Sequence, residues 1–181
     1  MKLYYVDQRK VFPFLQPVEV WDEQGNVRYR LKSKSTVGLQ LHLLTPYDEE
    51  VASIRQKVSL GSEYIANVNG KELTVTRKAT FLKGERFFLI SALNWKAEDF
   101  SVYHTYRITA GDQQIAQVRM VEFFKGHKDA LYEALKKIAQ VPRSELDQAN
   151  CCEVVFSDDQ NEAEVLAVVM AIEASLSNGR G

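Results

Sequence analysis

The chain has 181 residues, 45% of them hydrophobic, a size at which one compact domain spanning 1–181 is expected and two would be cramped. With 23 Lys and Arg against 24 Asp and Glu, the net charge of -1 excludes a global field that recruits nucleic acid or an acidic membrane, leaving only local patches to do so. The two cysteines, Cys151 and Cys152, are adjacent; on an extended strand they point to opposite faces, which excludes a disulfide framework.

In chain order, MKLYYVDQRKVFPF lacks the apolar run and small-residue cleavage site of a secretory leader. It reads as a strand over 3–6, and a cytosolic location is the expectation. The segment PVEVWDEQGNVRYRLKSK is a hairpin turning over 22–26. On its second strand Arg28, Arg30, Lys32 and Lys34 alternate with Tyr29 and Leu31, so all four cations share one face at a spacing of about 6.5 Å. Such a stripe is either a solvated outer face, an edge protected by lysine against aggregation, or a seat for phospholipid headgroups or another phosphate-bearing anion.

LQLHLLTPYDEEVASIRQKV turns at 45–48, and YIANVNGKELTVTRK turns at Asn69-Gly70, the pair preferred by a type I′ hairpin. Further strands are expected over 87–91 and 100–103, and a hairpin in TYRITAGDQQIAQVRMVEFF turns over 110–113. KDALYEALKKIAQ, residues 128–140, sets Leu131, Ala134, Leu135 and Ile138 on one face and reads as an extra surface helix. A last strand covers 153–156, with Cys152 on the same side as Val154 and Phe156 and so in the core.

The chain ends in NEAEVLAVVMAIEASL, a helix that enters from the good capping types Ser157, Asp158 and Asp159. From Val165 to Ile172 it carries no polar side chain, yet eight apolar residues are far short of the ~20 that cross a bilayer. A helix apolar on every side must be enclosed by protein, and in a chain of about a dozen antiparallel strands the enclosure is a sheet closed around it. The expected fold is all-β: a twelve-stranded antiparallel barrel around a hydrophobic C-terminal helix.

This order of elements resembles the tubby C-terminal-like superfamily, and most of all the bacterial LURP-one-related group, over nearly the whole chain. The residues that carry the likeness are DEQGNVRYRLKSK, SIRQKV, YIANVNGKELTVTRK, Trp95 followed by YRITAGDQQIAQV, and AEVLAVVMAIEASL. The glycine common after the tryptophan is missing from NWKAEDF, and Glu173 stands where an aspartate is common. The resemblance implies a scramblase-like fold, and relatives that bind phosphoinositides on the barrel exterior or act on membrane phospholipids. It supplies no residue-level lipid motif here.

Catalytic constellations are poor. His42, His104 and His127 and the two cysteines fall in different elements without ligand spacing, so no metal is expected. No phosphate-cradling glycine loop occurs, so no nucleotide cofactor is expected either. The reading is a non-enzymatic binding or scaffold module, peripheral at the membrane if the stripe takes lipid. The competing reading is a phospholipid-mobilising protein or enzyme with its site at the barrel mouth.

Overall fold

A computed structural model describes residues 1–6, 18–35, 39–57, 63–79, 86–98, 100, 105–121 and 151–178; the helix expected over 128–140 lies outside them. The strands are β1 (Lys2–Val6), β2 (Val18–Asp22), β3 (Val27–Ser35), β4 (Leu39–Leu44), β5 (Glu50–Gln56) and β6 (Glu63–Val68). They continue as β7 (Lys71–Ala79), β8 (Arg86–Ile90), β9 (Trp95–Glu98), β10 (Tyr106–Ala110), β11 (Gln113–Val121) and β12 (Cys151–Phe156). Every strand pairs antiparallel with its sequence neighbours, and β1 pairs with β12 to close the barrel.

Turn chemistry sets the register. Asn69 and Gly70 adopt φ of 49° and 84°, the left-handed pair of a type I′ turn. The Gly70 amide donates to Asn67 Oδ1 at 3.0 Å, and Val68 opposes Lys71. One strand was not expected from the sequence: β9, whose Trp95 and Ala97 face inward and whose Lys96 and Glu98 face outward. The turn before it, where Ala92 and Asn94 take φ of 66° and 55°, reverses the chain directly after β8. Of the strand read over 100–103, residues 101–103 lie outside the described residues. Phe100 stands outside any strand and instead stacks on Tyr106, with ring centroids 4.9 Å apart.

The interior is occupied by α1 (Glu162–Asn178). Twelve strands enclose a space wide enough for a helix, which is about 10 Å across with its side chains. Every residue from Val165 to Ser175 is buried, and the helix packs on β5, β6 and β7. Asn161 is the cap: its Oδ1 accepts from the Glu164 amide at 3.1 Å and its carbonyl from the Val165 amide at 3.0 Å. The expected caps at 157–159 form the preceding turn, in which the Gln160 amide donates to the Ser157 carbonyl. Facing the helix, Leu3, Leu31, Leu41, Leu43, Leu73 and Ile108 are at most 1% exposed.

The enclosed stretch of α1 carries two polar side chains, Glu173 and Ser175, and Glu173, 4% exposed, accepts a hydrogen bond from the Tyr106 hydroxyl at 3.2 Å. Tyr5 stands beside Cys152 in the same cluster; burial first, then the fields of Cys152, Glu173 and Tyr106, push its phenol well above the ordinary range. Cys152 is fully buried, as its strand face implies. Among the described residues no helix is long and apolar enough to cross a membrane.

Candidate functional site

β3 delivers the four cations to the outer face as their alternation requires: Leu31 between them is 1% exposed and Tyr29 packs on the core. β3 is no edge, because β2 and β4 flank it on both sides. Protection against edge pairing therefore drops out as the reason for the lysines.

Carboxylates meet the first three cations. The Arg28 guanidinium donates to Glu162 of α1 at 3.1 Å, and this hydrogen bond and charge raise its pKa. Lys71, at the start of β7, does the same to Glu164 at 2.9 Å. The acidic first turn of α1, which also suits the helix dipole, is thus pinned to the barrel from two strands. Arg28 is a structural clamp. Arg30 lies 3.7 Å from Glu19, its register partner on β2, and donates to the Pro46 carbonyl at 3.3 Å. Lys32 reaches Asp48 at 2.8 Å, a hydrogen bond that holds the Asp48 carboxyl below its usual range.

Asp48 sits at φ 64° in the β4–β5 turn, which Thr45 organises by accepting the Tyr47 and Glu49 amides on its hydroxyl. Tyr47 at the tip is 87% exposed. On the neighbouring strand His42 Nδ1 lies 2.6 Å from Glu50 Oε2. The Asp48 and Glu50 carboxylates are therefore surface partners for Lys32 and His42.

Lys34 differs from the other three. It is exposed, opposes Gln40 on β4, and Gln40 opposes Arg55 on β5. The row Lys34–Gln40–Arg55 places two exposed cations either side of an amide, about 10 Å apart across two strand spacings. Neither cation has a carboxylate partner among the described residues. Arg55 is the residue that reading along the chain does not find, because its link to Lys34 exists only through the register of β3, β4 and β5. Arg77 and Lys78 do not extend this row. They belong to β7, which β6 separates from Arg55 on β5, and Lys83 lies outside the described residues.

The outer face of β2, β1, β12 and β11 is a second departure from a plain solvated surface. Trp21, Tyr4, Glu153 and Arg119 form a cross-strand row in which the first three are at most 7% exposed. Tyr4 donates to Glu153 Oε1 at 3.0 Å, and Arg119 pairs with the other oxygen. Those bonds satisfy a buried carboxylate, a structural duty. Among the described residues no group of three or more His, Cys, Asp or Glu side chains is placed to hold a metal ion.

A family model described as LURP-one-related matches residues 4–133 of the chain. No curated protein and no solved structure matches it.

Proposed function

The chain belongs to the LURP-one-related family, and from that premise we propose that it is a non-enzymatic binding module whose ligand is a phosphate-bearing anion, a phospholipid headgroup, held on the barrel exterior. The observation that carries this reading is the filled interior: α1 occupies the space in which a barrel of this size would hold a small molecule. Any ligand then binds outside, and the stripe Arg28, Arg30, Lys32 and Lys34 is the outer feature suited to an anion. Its open end is the row Lys34–Gln40–Arg55. The Lys32–Asp48 pair is exposed, its side chains 42% and 57% accessible, and surface pairs of this kind contribute little to stability. A multivalent phosphate can displace Asp48 at little cost.

On this reading the protein acts in the cytoplasm, peripherally at the membrane. A lipid-mobilising or enzymatic site at the mouth is less favoured, because the polar groups that converge inside, Tyr5, Tyr106 and Glu173, are sealed from solvent. The test is sedimentation with vesicles of anionic phospholipid over a salt series. Binding should fall steeply with salt, and Arg30→Glu with Lys32→Glu should weaken it by about tenfold or more. Binding unchanged in that variant, or absent at low salt, removes the reading.

A further inference from the structure

Arg77 and Arg86 occupy positions that the outer stripe does not explain. Along β7, Arg77 follows Leu73 and Val75 on the interior-facing side, both fully buried, and it opposes Phe88, also fully buried. Two residues further on, Ala79 opposes Arg86. Arg77 and Arg86 are therefore diagonal cross-strand neighbours on the inward side of the barrel rim, with Cβ atoms about 7 Å apart.

The inward neighbours Val75 and Phe88 are apolar, and like charges set this close repel. Arg77 is only partly exposed; burial first, then the charge of Arg86, lower its pKa. Yet neither guanidinium has a carboxylate partner among the described residues. This contrasts with Arg28, Arg30 and Arg119, each of which has one. The inner wall beside the pair is aromatic. Phe88 lies 5.4 Å from Phe100, which stacks on Tyr106. A wall of that kind keeps the local dielectric low and strengthens any charge placed against it.

We propose that Arg77 and Arg86 form a two-arginine clamp for a dianionic phosphate group at this rim of the barrel. Each guanidinium presents a planar fork that fits two phosphate oxygens, and two forks with charge +2 match a phosphomonoester better than a carboxylate, which one fork satisfies. The clamp is on the inward side of β7 and β8 and the stripe on the outward side of β3, with β4, β5 and β6 between, so the two readings stand or fall independently.

The test is thermal denaturation in inorganic phosphate against chloride at matched ionic strength. The wild-type chain should gain a saturable rise in Tm with phosphate alone. Arg77→Gln with Arg86→Gln should start at an equal or higher Tm, the repulsion being relieved, and its apparent phosphate affinity should fall by about tenfold or more. Arg77→Lys, which keeps charge and loses the fork, should fall between the two. A parallel arm uses vesicles of phosphatidic acid in phosphatidylcholine. Vesicle binding lost in the Arg77/Arg86 double variant identifies a lipid-borne phosphate, whereas a phosphate-specific Tm rise without vesicle binding identifies a soluble one. A response equal in wild type and double variant, equal in chloride, or absent in both arms overturns the clamp.

Discussion

Tyr29 marks the boundary between the two faces of β3: Arg28 and Arg30 on either side turn outward, while its ring packs on the core. Burial first, then the charge of Glu162 and a hydrogen bond to it, push the phenol up to about 12, against a lowering by Arg28. Because the folded value lies above the unfolded one near 10, the associated stability is complete below that pH and is lost as pH rises toward 12. Tyr5 has the same sign. An alkaline titration followed by tyrosinate absorbance should show a component delayed to about pH 12 that Tyr29→Phe removes, and a further component that appears only as circular dichroism reports unfolding. An unchanged curve for Tyr29→Phe would contradict the burial assigned to this ring. The alternation of the four cations was legible along the chain because period two is local. Their partners were not, since Glu162 is 134 positions from Arg28 and Asp48 reaches Lys32 only through a folded hairpin.

At the scale of elements, α1 is the segment most legible in the sequence and the one on which the architecture depends. A polar change at its centre has no outward-facing side to turn to. Val169, fully buried, becomes an unpaired charge in Val169→Asp, at a cost on the order of 5 kcal/mol, comparable with the whole stability of a domain. The variant should be unfolded in circular dichroism with no membrane present, while Val169→Ala should stay folded and lose about 2 kcal/mol. A folded Val169→Asp would refute the enclosed helix. The cap was misplaced by sequence because Ser157, Asp158, Asp159 and Asn161 are all good capping types, and only the hydrogen bond to the Glu164 amide distinguishes Asn161. β9 was missed because its alternation WKAE is only four residues long, and nothing in composition signalled that Ala92 would enter the left-handed region.

Considered whole, the molecule is a ring of twelve strands in which each closes on the next and the helix touches several at once. Trp21 on β2 and Trp95 on β9 sit far apart around that ring, at 4% and 7% exposure. Loss of either region removes partners from the other by way of α1, so denaturant curves from tryptophan fluorescence and from far-ultraviolet circular dichroism should coincide. Separate midpoints would divide the barrel into independent halves. The closure by β12, followed directly by the helix, also bears on synthesis. A ribosome delivers β12 and α1 after all the other described elements, so until they emerge the nascent chain can form only a curled sheet with open edges at β1 and β11 and an apolar lining facing water. A polypeptide stopped before residue 151 would keep those edges and that lining, which makes translational arrest or C-terminal truncation a direct route to aggregation and makes the nascent barrel a client for chaperones.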